Sequence, residues 1–273
     1  MSYKIEVTDR VPTYPGRVKL TPVSGQTNTY DLVRADLPIQ EGTPINKYLL
    51  DRKANCLPYG AAVYVSKSGS DTDGDGTSAA PFLTVQKAID SLPKVLGGLH
   101  AQIDIAAGTY NERVTIDGFV GGRITLGISG RSVTLGAVTV MSSSVVRIAV
   151  SNLTYSSAVS GTRLYIAYGS NVYLMNNLTV NSGGQQEYGI ALEHGSTLVA
   201  LNTSTVTVSN CGRAAIMSTL GSTAAFNDIA GSGNTQYALA ATFGGILTYN
   251  TKSITATSGD YANRGGRIFS GGS

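Results

Sequence analysis

The sequence predicts an all-β protein: a parallel β-helix with one capping helix before it and an extended arm at the N-terminus. From residue 101 to about 258, short apolar segments alternate with Gly, Ser, Asn and Thr, which is typical of short strands joined by turns. A sequence repeat with a period in the mid-twenties runs through the same region. Charged residues make up only 14% of the chain, too few for a long coiled coil.

The repeat is visible in the segments YGSNVYLMNNLTVNS, HGSTLVALNTSTVTVSN, LGSTAAFNDIAGSGN and FGGILTYNTKSITATSG. Leucine-rich repeats of similar length need an L-x-x-L-x-L pattern that is absent here, and propeller blades need about 40 residues. A coil of three short strands and three turns fits the period, and five to seven such coils give a rod roughly 25–35 Å long. The leading glycines, spaced by 26, 26 and 24 residues, are Gly169, Gly195, Gly221 and Gly245.

The repeat also aligns one asparagine per coil, followed in each case by an apolar residue. We expect the amides to hydrogen-bond along the rod, as stacked asparagines do in other parallel β arrays. We expect the apolar residues to stack inside it. The asparagines are Asn152, Asn177, Asn202, Asn227 and Asn250, and the apolar residues are Leu153, Leu178, Val206, Ile229 and Ile254.

One segment, residues 84–96, has the periodicity of an amphipathic helix. The end of a β-helix exposes an open sheet edge, so we expect this helix to cover the first coil. Gly97 and Gly98 are expected to end it. The apolar stripe consists of Val85, Ala88, Ile89, Leu92 and Leu96.

The sequence divides into three parts. Residues 1–60 are extended segments interrupted by prolines, and we expect them to form an arm that needs a partner surface. Residues 61–258 contain the capping helix and the β-helix. Residues 259–273 form a short, glycine-rich C-terminal tail.

The composition and motifs exclude several functions. Basic and acidic residues number 20 and 17 and are not clustered, which argues against nucleic-acid binding. Neither Cys56 nor Cys211 belongs to a C-x-x-C pair, and no zinc-enzyme, nucleotide-binding or nucleophile-elbow motif is present, so no such cofactor is expected. The start MSYKIEVTDR lacks a signal-peptide core, and no apolar run is long enough to span a membrane. We therefore expect synthesis in the cytoplasm of a host cell.

Two stretches resemble known families. YVSKSGSDTDGDGTSAAPFLTVQKAID, followed by IDIAAGTYNERVTI, resembles the first coils of pectin-lyase-like β-helices, which are right-handed. That resemblance implies a fold over residues 63–258 but no single function, because the fold carries lyases, hydrolases, esterases and non-enzymatic spikes. VTDRVPTYPGRV and RADLPIQEGTPINK resemble the N-terminal segment of tail-fibre and baseplate proteins from phages and prophages of Gram-positive bacteria. This second resemblance implies attachment to a tail and trimeric association.

The acidic residues of the β-region could serve an enzyme. Glycoside hydrolysis needs two carboxyl groups on either side of the bond, about 6.5–9.5 Å apart in inverting enzymes. The candidates are Glu187, Glu193 and Asp228. The alternative is that these side chains lie in solvated turns.

The tyrosines are the best candidates for recognition, because sugars stack on aromatic faces and the phenol hydroxyl adds a hydrogen bond. Ordinary packing between coils or subunits is the alternative. The candidate glycan-binding residues are Tyr168, Tyr188, His194 and Arg213.

A loop before the helix contains Asp71, Asp73 and Asp75 at alternate positions, as a Ca²⁺ loop does. The twelfth position, where an EF-hand needs glutamate, is Phe82. A solvated turn is the alternative to a bound cation.

Together these features predict a non-catalytic component of a phage or phage-tail-like particle, either tail fibre, tail spike or baseplate. Residues 1–60 are expected to bind tail or baseplate proteins, and three copies are expected to present the β-helix to a cell-wall glycan. One alternative is a tail-spike depolymerase that cleaves surface polysaccharide. Another is an assembly protein that carries a separate receptor binder.

Overall fold

The computed structural model describes residues 62–271, with the backbone alone at 201–203, and the backbone of four short strands nearer the N-terminus. The chain divides into two units, Met1–Cys56 and Leu57–Ser273. In the first unit two antiparallel strand pairs are described. They are β1 (Val11–Pro12) with β4 (Pro38–Gln40), and β2 (Val18–Pro22) with β3 (Tyr30–Arg34). The rest of the predicted arm and Cys56 lie outside the described residues.

The second unit is a right-handed parallel β-helix of about seven coils. The repeat predicted the parallel β-helix, and the resemblance to pectin-lyase-like proteins implied its right hand. It has one helix, α1 (Val85–Asp90). Its strands are β5 (Ala62–Val65), β6 (His100–Ile105), β7 (Gly108–Asp117), β8 (Arg123–Leu126), β9 (Val133–Met141), β10 (Val146–Ile148), β11 (Asn152–Thr154), β12 (Leu164–Ala167), β13 (Asn171–Leu174), β14 (Leu178–Asn181), β15 (Ile190–Leu192), β16 (Thr197–Ser209), β17 (Ala214–Ser218), β18 (Thr223–Asn234), β19 (Tyr237–Thr242), β20 (Ile246–Ala256), β21 (Tyr261–Asn263) and β22 (Arg267–Ser270).

The parallel pairings form three faces. Sheet 1 contains β5, β6, β8, β10 and β13, the first parts of β16, β18 and β20, and then β22. Sheet 2 contains the first parts of β7 and β9, then β11, β14 and the later parts of β16, β18 and β20. Sheet 3 contains the later parts of β7 and β9, then β12, β15, β17, β19 and β21. Each coil passes through sheets 1, 2 and 3 in that order.

Columns of apolar side chains fill the interior, because parallel in-register pairing places equivalent residues of successive coils above one another. Each fully buried aliphatic side chain contributes about 1.5–3 kcal/mol. All members of the two columns named here are buried except Ile268. The sheet 1 column is Ala101, Ile124, Val146, Val172, Leu198, Ala224, Leu247 and Ile268, and the sheet 3 column is Val114, Val138, Leu164, Ile190, Ile216 and Leu239.

The capping helix is shorter than the predicted span 84–96. It begins after Thr84, whose hydroxyl accepts from the Lys87 amide, and it ends at Asp90. Pro93 explains the early end, because proline cannot donate an amide hydrogen bond and disfavours helical geometry at the preceding residue. Leu92 and Leu96 are nevertheless buried.

Hydrogen bonds between α1 and β7 fix the start of the helix. The Glu112 carboxylate accepts from the amides of Val85 (2.9 Å) and Gln86 (3.0 Å). The Gln86 side chain accepts from the Thr115 amide at 2.6 Å and donates to the Thr115 carbonyl at 3.2 Å. The motif residues that resemble pectin-lyase-like proteins therefore join the helix to the first coils.

No helix in the described part of the chain has the length and apolar character of a membrane span.

The turn between sheets 3 and 1 corrects the glycine alignment. A residue with left-handed φ is followed there by a glycine, and in the fourth repeat this glycine is Gly244 rather than Gly245. The Cα register agrees, since Thr223 pairs with Ile246. The step from Gly221 is therefore one residue shorter than the sequence alignment predicted.

The asparagine ladder forms only in part. The Asn250 amide donates to Asn227 at 2.9 Å, but Asn177 instead accepts from the Thr205 amide, also at 2.9 Å. Asn152 pairs in register with Thr179, and the Asn202 side chain lies outside the described atoms. Leu178, Val206 and Ile229 stack in one buried column as predicted, whereas Leu153 stacks on Val180 because the turn lengths differ.

Candidate functional site

A ridge of large side chains follows the turn between sheets 3 and 1. The first residue of each turn has a left-handed backbone, with φ between 47° and 56°, and the next residue is a positive-φ glycine. One coil earlier Ser142, with φ 48°, takes the same place, because its neighbour Met141 pairs with Ala167. We call these residues the turn ridge: Tyr168, His194, Leu220, Phe243 and Arg264.

The turn ridge is costly in two ways. Left-handed backbone disfavours side chains with a Cβ by roughly 1–2 kcal/mol per residue, and glycine or asparagine would fit better. The apolar members are also open to solvent, with exposed fractions of 54% for Tyr168, 42% for Leu220 and 47% for Phe243. Strain retained at the same place in five coils, together with exposed apolar groups, indicates a contact surface.

Ring contacts order the ridge. The rings of Tyr168 and His194 stack with centroids 4.8 Å apart and 20° between their planes. The Arg264 guanidinium lies 4.6 Å from the Phe243 ring centroid, a cation–π contact. Ser142 occupies the equivalent position of the preceding coil, so no ridge ring comes before Tyr168 in the stack.

The outer surface of sheet 3, beside the ridge, carries a second apolar group. Ala191 lies between the interior residues Ile190 and Leu192, so strand alternation points its side chain outward. Its exposed fraction is nevertheless only 1%, because tyrosines pack over it. Ala214, Met217 and Ala240 belong to the same buried cluster, with exposed fractions of 1%, 9% and 5%. The tyrosines that pack against it, which we call the tyrosine face, are Tyr165, Tyr188 and Tyr237.

Polar groups border the tyrosine face. The Tyr165 hydroxyl donates to Glu193 at 2.9 Å, and burial followed by this hydrogen bond raises the pKa of Tyr165 to about 12. Glu193 also lies 3.8 Å from His194 Nδ1. The guanidinium of Arg213 lies 5.3 Å from the centre of the Tyr188 ring. Both groups can bind hydroxyls of a ligand that rests on the rings.

The predicted glycan-binding residues thus form two pairs. Tyr168 and His194 stack beyond the ends of β12 and β15, and Tyr188 and Arg213 meet before the starts of β15 and β17. Sheet 3 and the adjoining turn carry both pairs. Tyr188 is also a member of the tyrosine face.

A cleft of about 240 Å³ opens where sheet 2 leads into sheet 3. Among the described residues, the Glu187 carboxylate makes no hydrogen bond or ion pair. Arg163, 1% exposed, donates to the carbonyls of Gly136 and Val159 at 3.0 Å, and burial lowers the pKa of its guanidinium. Arg113 donates to the carbonyls of Ser160 and Thr162, so both cations organise the cleft wall. The lining is Tyr155, Ser157, Ser160, Gly161, Gln185, Gln186 and Glu187.

The three candidate catalytic carboxylates lie at three separate positions. Glu187 precedes β15 and Glu193 follows it. Asp228 lies in β18 on sheet 2, where it accepts from the Asn227 amide at 2.9 Å and from the Thr251 hydroxyl. The structure does not bring any two of them into contact.

The aspartates of the loop before α1 make structural contacts. Asp71 accepts from the Leu83 amide (2.8 Å), the Thr84 amide (3.0 Å) and the Thr84 hydroxyl (2.6 Å). Burial alone would raise the pKa of Asp71, but these hydrogen bonds outweigh it and the pKa is lowered. Asp73 accepts from the Ser70 hydroxyl and Asp75 from the Thr77 amide. In the part of the chain that the structure describes, no three His, Cys, Asp or Glu side chains form a metal-binding group.

Sequence reasoning missed several of these residues. It gave no role to Leu220, Phe243 or Arg264, although each stands directly before a glycine of the repeat, and that position was the available signal. It assigned neither Arg113 nor Arg163 to a site. Their meeting depends on the path of the 155–163 segment, which has no repeat pattern.

Comparisons of the chain with protein-family models, with curated proteins and with solved structures found no match.

Proposed function

We propose that this chain is a non-catalytic attachment protein of a phage-tail-like particle that binds a surface glycan through sheet 3 and the turn ridge. The observation that carries the proposal is the ridge itself, where strained backbone holds large, exposed side chains, three of them rings, at the same turn of successive coils. A purely structural turn at these positions is more stable with glycine or asparagine.

The neighbouring groups suit a sugar chain. The tyrosine face offers aromatic surface, and Tyr168, which is 54% exposed, stands at the end of its stack with His194. Arg213 and Glu193 supply a donor and an acceptor at the margins of the same surface. Apolar rings with a few polar groups at their border are the usual composition of a ligand site.

The particle and the trimer are parts of the same proposal. The likeness of residues 1–60 to tail-fibre and baseplate segments supports attachment to a tail. The low charged fraction, 14%, supports burial of β-helix surface between three copies. Light scattering on the full chain tests this part: we expect a mass near three times 28.3 kDa, and a stable monomer at all concentrations contradicts it.

Glycan binding is tested by co-sedimentation of the full chain with purified cell walls from a panel of Gram-positive bacteria. For a wall that retains the chain, Ser142→Tyr is expected to weaken binding about tenfold, because a new ring before Tyr168 in the stack covers that tyrosine. Tyr168 shows that this backbone accepts tyrosine. The matched control, Asn111→Tyr, places a ring at an exposed position of β7 and should bind like the wild type. Equal binding by all three proteins contradicts the proposed site.

The Glu187 cleft favours a second function, cleavage of a surface polysaccharide. Its carboxylate faces a cleft whose wall holds two buried or half-buried guanidinium groups. This function is supported if a wall that binds the chain releases reducing ends or unsaturated fragments. The release should be lost in Glu187→Gln and kept in Asp228→Asn. Walls that bind the chain but release no fragments argue for attachment alone.

A further inference from the structure

A second hollow, with a volume of about 490 Å³, lies at the turns that lead from sheet 1 to sheet 2. We call it the amide notch. It is separate from the Glu187 cleft and shares no residue with the turn ridge. Its lining is Gly130, Ser132, Ser151, Asn152, Met175, Asn176, Asn177, Thr179 and Ser204.

The lengths and burial of the turns explain the notch. The turn between β10 and β11 is short and recessed, with Ala149 and Val150 buried. In the coil before it, the connection from β8 to β9 is longer and includes Gly130. In the coil after it, Met175 stands out with an exposed fraction of 42%. A recessed turn between two protruding ones leaves a concave surface.

The lining of the notch contains several amide and hydroxyl side chains and no charged one. Asn177 uses its oxygen to accept from the Thr205 amide, and Asn152 uses its nitrogen to donate to Thr134 at 3.2 Å. Among the described residues, the Asn177 nitrogen and the Asn152 oxygen therefore keep a donor and an acceptor without a protein partner. The side-chain oxygen of Asn176 is buried with no hydrogen-bond partner there.

We propose that the amide notch binds one uncharged pyranose ring, such as a neutral hexose or N-acetylhexosamine. A sugar hydroxyl donates and accepts at once and can satisfy both kinds of free amide group. Met175 supplies an apolar contact for the carbon face of the ring. An acidic or phosphorylated sugar is disfavoured, because no cation in the lining repays the loss of its hydration. The notch is independent of the function proposed for sheet 3.

Saturation-transfer NMR with the full chain tests the proposal. The probes are glucose, galactose and N-acetylglucosamine, with glucuronic acid and glucose 1-phosphate as charged comparisons. We expect saturable transfer to at least one neutral sugar, weakened about tenfold in Asn152→Ala, which removes the unpaired acceptor of the lining. Thr179→Val should weaken it in the same direction, since it removes a hydroxyl but keeps a branched strand residue.

One control separates this site from the rest of the molecule. Asn111→Ala removes an exposed amide elsewhere and should leave the saturation transfer to the sugar unchanged. No saturable transfer from a neutral sugar overturns the proposal. Transfer that persists in both notch variants, or that is stronger for the charged sugars, overturns it as well.

Discussion

At the scale of single residues, the turn ridge connects backbone strain with exposure. Tyr168, Leu220 and Phe243 occupy left-handed conformations that bulky side chains rarely adopt, and all three are open to solvent. Neither property stabilises the folded chain. Their repetition in successive coils is therefore best explained by a contact that the folded protein makes.

The strain can be measured at Leu220. Leu220→Gly and Leu220→Ala remove the same side-chain contacts, but only glycine relieves the left-handed backbone. We expect Leu220→Gly to have a free energy of unfolding about 1 kcal/mol higher than Leu220→Ala in urea titrations. At Thr223, an ordinary strand position, the order should reverse, with glycine about 0.5–1 kcal/mol less stable than alanine. If alanine is the more stable variant at Leu220 as well as at Thr223, the backbone of the ridge is not strained.

At the scale of elements, the short helix α1 depends on its connections to the first coils. An isolated helix of six residues is too short to be stable in water. The Glu112 carboxylate binds two of its first amides, and Asp71 binds Thr84 directly before it. Both acids therefore position the element that covers the open edge of the β-helix.

Removal of Glu112 should destabilise the protein. Glu112→Ala leaves the amides of Val85 and Gln86 without their acceptor, and hydrogen bonds to a charged group contribute about 1.5–3 kcal/mol. We expect the free energy of unfolding to fall by about 2 kcal/mol in chemical denaturation. Glu187→Ala, whose carboxylate has no such bond, should change it by less than about 0.5 kcal/mol. Equal effects of the two changes contradict the capping role.

Asp71 should make stability depend on pH in the acid range. Because the folded-state pKa of Asp71 lies below its usual value of 3.8, its contribution is complete at neutral pH and is lost as the pH falls through the lowered pKa. Asp71→Asn should therefore be less stable than the wild type at pH 7, and the difference should shrink as the pH falls below about 4. Unfolding titrations of both proteins from pH 7 to pH 2.5 measure it; a constant difference contradicts the assignment.

The elements also show what the sequence could predict. The apolar stripe predicted the position of α1 correctly. It did not predict the end of the helix at Asp90, because the apolar spacing continues past Pro93. The repeat predicted parallel stacking, whereas an unequal turn length moved Gly244 into the glycine position. Local periodicity thus fixed the kind of element, and turn geometry fixed its limits.

At the scale of the whole molecule, stacking brings together residues that are one coil apart. The sequence predicted the β-helix and named Tyr168, Tyr188, His194 and Arg213, and the structure places all four on one side. It could not predict that tyrosines cover outward alanines. That arrangement follows from the register of strands in different coils, which the repeat gave only to within a residue.

Hydroxyl-radical footprinting of the full chain on a retained cell wall tests the central claim most directly, because it reports which side of the molecule is covered. We predict reduced oxidation of Tyr168, His194 and Tyr188 in the bound state. Phe269, exposed by 47% on sheet 1, should be oxidised as in the free protein. Protection of Phe269 with unchanged oxidation of Tyr168 and Tyr188 would contradict the proposal that the turn ridge and the tyrosine face bind the glycan.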